Sequence, residues 1–512
     1  MMSETRPTAK RTASVTGMLV ALLLLAFAVR VFHIDFQSLW RDEVDAIRFS
    51  GGSLPHLLRE LTRSGHNGPL YFVFLHVWRR STGDSEFALR YLSVIGGTLM
   101  VALTYATGRA LRLQKSAALA SAALIAVAPY LIWYSQEAKM YSWLASLVLL
   151  AIFAFERALH REKSAGWWAL FIITTSLTFY THILSPLMLV VYGAWALIEW
   201  RHVRQKWRGI LLSLAMFILP YLPLLRWQFP LLKNGFQSGH PFYPLPKMIG
   251  LLLHFYSVGV LRWTWANALI GVMLALALAG LVLPTAPARL RTKLALWWLI
   301  PVAAVYLISL RVTVFEDRYL IYILPAFFFL VGLGIAWLAK KNRWLGWGLL
   351  AALLAFNLWH GYRQETTTIK ADFRAAAAYI FRAETAPKPA SPAHPAPSPD
   401  MPFHIYLPLV ENNPLPVVML QMPYLQYTFD YYFEPPFKKL DGLWTNDGRS
   451  AAQVGAEMTQ LTQGVPSLWL VVAEEDQWDN RHLVRKWLND HATLTREGHF
   501  VGVSVYQYNL QQ

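Results

Sequence analysis

The chain has no cysteine among its 512 residues. That excludes a disulfide framework and a thiolate metal site, so any exported part holds together by packing and hydrogen bonds. Charge is scarce as well: Asp, Glu, Lys and Arg make up 15% of the residues, against ~25% in an ordinary soluble chain. Acids are the scarcer kind, 30 Asp and Glu against 46 Lys and Arg, for a net charge of +16. The cations are scattered through short loops and build no basic face that could follow a phosphate backbone, so nucleic acid is not an expected partner.

What abounds is apolar. Hydrophobic residues are 55% and aromatic residues 14% of the chain, and the mean hydropathy is +0.34. This is the composition of a polytopic α-helical membrane protein. A hydrocarbon core of ~30 Å is crossed by about 20 helical residues. Eleven runs approach that length, near 15–34, 92–111, 117–134, 141–159, 166–182, 184–200, 209–226, 264–284, 294–310, 319–339 and 344–361. The first is too long, and too poorly followed by small residues, to be a cleaved signal peptide.

The loops on the side of the N-terminus hold the cations. They include Lys10 and Arg11, Arg109 and Arg112, Arg157 and Arg161, Arg201 and Arg204, Arg289 and Lys293, and Lys340 and Lys341. The positive-inside rule makes that side cytoplasmic. Eleven spans then leave the C-terminus outside. Residues 1–14 read as a cytoplasmic basic tail and 15–361 as the transmembrane domain, with external loops 35–91 and 227–263. Residues 362–402 read as an amphipathic helix and a Pro-rich linker, and 403–512 as an extracytoplasmic α/β domain.

Within the first external loop, 55–61 and 69–78 have the spacing of helices lying at the membrane surface. The stretch 248–260 is short for a span and reads as interfacial or re-entrant. Toward the C-terminus, Asp372 is placed to cap a helix over 375–382. Residues 387–402 form the linker. Strands are expected at 403–409, 468–472 and 503–508, and helices at 451–461 and 481–488. No nucleotide-binding loop occurs in this part.

One acidic cluster stands out at the external side: Trp40-Arg41-Asp42-Glu43, with Asp45 close behind. A carboxylate within reach of an acceptor hydroxyl can take its proton as it attacks, and the candidate for that base is Asp42. Glu43 could orient the acceptor, or join Asp42 in binding a divalent cation, and the cofactor question stays open. Asp45 reads as structural. A leaving phosphate needs cations, and Lys139, Arg90 and Arg318 lie on the same side. Arg90 could instead pair with Glu86 or anchor a span. His66 and His182 lack the company of a metal-spaced histidine cluster.

Several motifs carry a resemblance: Trp40-Arg41-Asp42-Glu43, His66-Asn67-Gly68-Pro69-Leu70, Ser85 through Arg90, Ser135 through Tyr141, Tyr180-Thr181-His182, and Glu316 through Leu320. Together they resemble the family-39 membrane glycosyltransferases of the GT-C superfamily, the group of the protein O-mannosyltransferases and the lipid A aminoarabinose transferases. The chain departs from that pattern at Asn67 and at Lys139, where relatives often carry Pro and Arg. The C-terminal domain is more similar to uncharacterised bacterial members. The resemblance implies sugar transfer from a polyprenyl-phosphate lipid to a glycolipid, a protein or a wall polymer. Glu137, Tyr141, His66 and His182 are its substrate-binding candidates. Two other classes compete: a lipid transporter or flippase, and a non-catalytic lipid-binding membrane protein. A transporter predicts charges at mid-span and repeated halves with broken helices, whereas here the charges gather at one rim.

Overall fold

The computed structural model describes residues 6–60, 69–233, 241–385 and 415–510. They divide into two compact units, one of Met1–Phe36 with Ala46–Thr367, the other of Gln37–Asp45 with Thr368–Gln512. The segment that carries Asp42 and Glu43, expected within the external loop of the transmembrane domain, thus groups with the C-terminal unit. His66, the linker 387–402 and the strand at 403–409 lie outside the described residues.

The first unit is built from helices, and each of the eleven apolar runs overlaps one or more of them. Among the described residues, four helices are long and apolar enough to cross a membrane: Glu86–Ala110, Tyr141–His160, Ala288–Ser309 and Asp317–Lys341. A fifth is added if Lys115–Val127 and Pro129–Ser135, bent by 56°, count as one. Other apolar helices are shorter, among them Leu187–Ile198 and Ala266–Val282. Leu245–Val258 is also short; its 14 residues reach only ~21 Å at 1.5 Å per residue.

Local chemistry sets these boundaries. Ser85 accepts a hydrogen bond from the Ala88 amide and opens the helix Glu86–Ala110. Asn342 does the same for Arg343–Glu365 through the Leu345 amide. The bend after Val127 follows from Pro129, which has no N–H to give the carbonyl four residues earlier. That carbonyl, on Ile125, is taken by Arg30, whose Nη2 lies 3.0 Å away, while Nη1 reaches the Ala126 carbonyl at 2.7 Å. Arg30 is fully buried, and its Nε also donates to the Ser135 hydroxyl. Close packing comes from small residues. A Cβ on Gly280 would lie 2.0 Å from the Leu330 carbonyl oxygen, and one on Gly334 would lie 2.1 Å from that of Leu276.

The second unit holds a five-stranded sheet. Its strands are β1 (Val417–Leu420), β2 (Lys438–Asp441), β3 (Ser467–Val472), β4 (Ala492–Phe500) and β5 (Val503–Leu510), in the order β2-β1-β3-β5-β4. β1 runs parallel to β2 and β3, and β5 is antiparallel to β3 and β4. Alternation along β3 sends Trp469 and Val471 to one core, with Phe373, Ile380 and Phe429, and Leu468, Leu470 and Val472 to the other, with Val454, Met458 and Leu488. The helix Phe373–Thr385 starts where expected, with Asp372 Oδ1 accepting from the Ala375 amide at 3.0 Å. The helices Ala451–Leu461 and Leu483–His491 and the strands β3 and β5 fall at their expected places. β1, β2 and β4 were not expected from the sequence.

Candidate active site

In the first unit, the turn 136–140 between the helices Pro129–Ser135 and Tyr141–His160 carries Glu137 and Lys139. It is pinned at both ends. Gln136 Nε2 donates to the carbonyls of Arg30 and Phe32, at 3.0 and 2.7 Å, and the Ser93 hydroxyl donates to the Lys139 carbonyl at 3.0 Å. Both side chains are buried. The Lys139 ammonium makes no ion pair among the described residues, although burial makes an uncompensated charge costly.

Around the start of Tyr141–His160 an aromatic cluster forms. Tyr141 packs edge-on against Tyr134, with centroids 5.3 Å apart, and stacks on Tyr319 at 6.5 Å; the His182 ring is 4.9 Å from that of Tyr319. His182 Nδ1 accepts from the Leu184 amide at 3.2 Å, so in the neutral ring the proton sits on Nε2. This Nε2 is buried without a hydrogen-bond partner among the described residues. A donor held this way is available to a ligand oxygen.

Next to the cluster, the short 3₁₀ helix Asp317–Ile323 presents Asp317 and Arg318. Asp317 Oδ2 accepts from the phenols of Tyr130 at 2.7 Å and Tyr134 at 3.4 Å. The Arg318 guanidinium lies over the Tyr319 ring, 5.7 Å from its centroid, with Nη1 3.6 Å from Glu316 Oε2. The fold thus brings Tyr141, His182 and Arg318 together. It adds Asp317, Tyr130, Tyr134 and Tyr319, for which no role was expected. Asp317 stood inside a recognised motif, but its tyrosine partners lie 187 and 183 residues earlier, beyond the reach of any local spacing.

Arg90 is a different case. It is fully buried and donates from Nη1 to the Ile34 carbonyl at 2.8 Å. That bond ties the guanidinium to the chain just beyond the end of the first long helix.

In the second unit, Asp42 is half-buried in the first turn of the helix Arg41–Phe49. The segment before it is laced to residues from the far end of the chain. Gln37 Oε1 accepts from the Ile369 and Lys370 amides, the Ser38 hydroxyl donates to Asp372 at 2.9 Å, and the Tyr432 phenol accepts from the Leu39 amide at 2.6 Å. Arg41 lies over the Tyr424 ring, 5.0 Å from its centroid. Burial raises the Tyr424 phenol above its usual range, and Arg41 opposes that rise.

Glu43 is fully buried, and its Oε2 receives Lys370 Nζ at 2.9 Å. Lys370 thus pairs with one oxygen of the Glu43 carboxylate. Glu43, read from the sequence as acceptor-orienting or metal-binding, is the ion-pair partner of Lys370. The sequence hid this pairing because its members are 327 residues apart.

A family model described as dolichyl-phosphate-mannose-protein mannosyltransferase matches residues 66–227. No protein of curated function matches the chain by sequence. Among solved structures, ArnT from Cupriavidus metallidurans in the apo state aligns with a TM-score of 0.58 at 13% identity, covering 96% of this chain and 98% of that one. The Archaeoglobus fulgidus oligosaccharyltransferase aligns at 0.56 and 14%, covering 96% and 72%. The arabinofuranosyltransferase AftD from Mycobacteria aligns at 0.50 and 13%, covering 98% and 40%. The likeness to GT-C glycosyltransferases drawn from the motifs is therefore met by a family model over residues 66–227, which hold four of the six motifs, and by a shared fold along nearly the whole chain.

Proposed function

We propose that the protein transfers a sugar from a polyprenyl-phosphate donor to an acceptor hydroxyl at the extracytoplasmic membrane face. The observation that carries this reading is the buried Lys139 ammonium without an ion-pair partner among the described residues. Such a cation in an apolar, helical unit suits an anionic ligand arriving from the membrane. Arg318 and the Nε2–H of His182 supply further donors. Related folds agree with the ligand class: ArnT has been solved bound to undecaprenyl phosphate, and the archaeal enzyme AglB with a dolichol-phosphate.

In the reaction, the acceptor oxygen attacks the anomeric carbon and passes its proton to the Asp42 carboxylate. The bond from that carbon to the donor phosphate oxygen breaks, and the electron pair leaves with the polyprenyl phosphate. Lys139 and Arg318 stabilise the charge that the phosphate gains. Arg318 can bind two phosphate oxygens at once, while Lys139 acts as a point charge. Tyr141 and Glu137 position the substrate. Eleven helices span the membrane, with the N-terminus cytoplasmic and the C-terminal unit outside.

The test uses the full chain reconstituted with a polyprenyl-phosphate sugar. Asp42→Asn should still bind donor but transfer about 10²–10⁴-fold more slowly. Unchanged transfer would remove Asp42 as the base. Lys139→Met should weaken donor binding, and unaltered donor affinity in that variant would overturn the phosphate assignment.

A further inference from the structure

The helix ends on the side assigned to the cytoplasm hold a polar cluster that sugar transfer does not use. His160 closes the helix Tyr141–His160, Glu199 and His202 flank the start of Trp200–Gln205, and Lys293 comes from the second turn of Ala288–Ser309. Glu199 is the hub. Its Oε1 receives Lys293 Nζ at 3.0 Å, and its Oε2 lies 3.0 Å from His202 Nδ1 and 3.9 Å from His160 Nε2. Lys293 also meets Glu156 Oε1 at 2.8 Å. The two imidazoles face one another, with centroids 4.6 Å apart.

Two features distinguish this group from an ordinary ion-pair network. The first is charge. Glu156 and Glu199 bring two negative charges and Lys293 brings one positive, so with neutral histidines one negative charge is left over at a site where both Glu156 and Lys293 are buried. The second is tautomer. His160 Nδ1 lies 2.9 Å from the Glu156 carbonyl, which can only accept, so Nδ1 carries the proton and Nε2 offers its lone pair toward Glu199. A ring fixed through a backbone carbonyl in this way is the usual support behind a metal-binding histidine.

We propose that His160, Glu199 and His202 bind one zinc-class divalent transition-metal ion at the cytoplasmic ends of these helices. Their ligand atoms already lie within 4.8 Å of one another. Bonds of ~2.0–2.2 Å to two nitrogens and one oxygen suit this ion and leave a fourth position for water. Lys293, on the other oxygen of Glu199, orients that carboxylate and stays outside the coordination sphere. The two positive charges of the ion more than offset the residual negative charge, and the ion ties the end of Tyr141–His160 to the start of Trp200–Gln205.

The experiment takes untagged full-length protein in detergent, stripped with a chelator and then titrated with cobalt or zinc chloride. One equivalent of cobalt should give the visible absorption of a tetrahedral N/O site, zinc should abolish it, and zinc should raise the melting temperature by a few degrees. His160→Gln/His202→Gln should lose both responses while melting, without metal, near the stripped wild type. If the double variant fails to fold, His202→Gln carries the same test, because the His202 side chain is 37% exposed. Absence of the cobalt band in the wild type, or an equal zinc response in wild type and variant, would overturn the proposal.

Discussion

Removing the Arg30 guanidinium would strand two buried carbonyls, on Ile125 and Ala126, at the break made by Pro129. An unsatisfied buried acceptor costs ~1–3 kcal/mol. Arg30→Met should therefore lower the unfolding midpoint in detergent clearly, and Arg30→Lys by less, since an ammonium keeps some of the donors. Glu43 and Lys370 invite a second test. Losing one member of a buried ion pair costs about 3–5 kcal/mol, so Glu43→Gln and Lys370→Met should each destabilise strongly. The double variant should destabilise by less than the sum. A coupling near zero in that cycle would remove the structural role given to Glu43. The acidic pair was legible in sequence as an anomaly at the membrane surface, but not the division of labour within it. That division depends on Lys370, whose charge the linear pattern gave no reason to pair with residue 43.

Long helices were the legible elements, because a run of about 20 apolar residues can satisfy its backbone in lipid only as a helix. The breaks were less so. Pro129 was visible, yet the run 117–134 read as one piece because apolar residues continue through it. The strands β1 and β2 have four residues each, too few for a period-2 pattern to stand out, and their pairing rests on distant partners. Helix packing yields a sharp prediction. A methyl group on Gly280 or Gly334 would meet a backbone carbonyl at 2.0 or 2.1 Å, and backbone cannot step aside as a flexible side chain can. Gly280→Ala and Gly334→Ala should each force Ala266–Val282 away from Leu324–Lys341 and cost ~1–3 kcal/mol or more. Gly271→Ala, on the same helix as Gly280 but with open space around it, should be neutral or slightly stabilising by thermal unfolding.

For the molecule as a whole, the lack of cysteine is an experimental asset. A single introduced thiol reports its side of the membrane without background. Exposed positions are available in both units, Lys163 in a basic loop and Thr493 on β4. In right-side-out vesicles an impermeant maleimide should label Thr493→Cys at once and Lys163→Cys only after permeabilisation. Equal labelling of both before permeabilisation would break the odd number of spans. The C-terminal unit has a further consequence, one of timing. The segment Gln37–Asp45 leaves the ribosome early, but Ile369 and Lys370, which hold Gln37, follow 332 and 333 residues later. At ~5–20 residues per second, the first helices wait roughly 15–65 s in the membrane before the Asp42 segment can find its partners. An unfinished chain therefore lacks the contacts that hold the Asp42 segment, and these form only after residues 369–372 and 432 have been made.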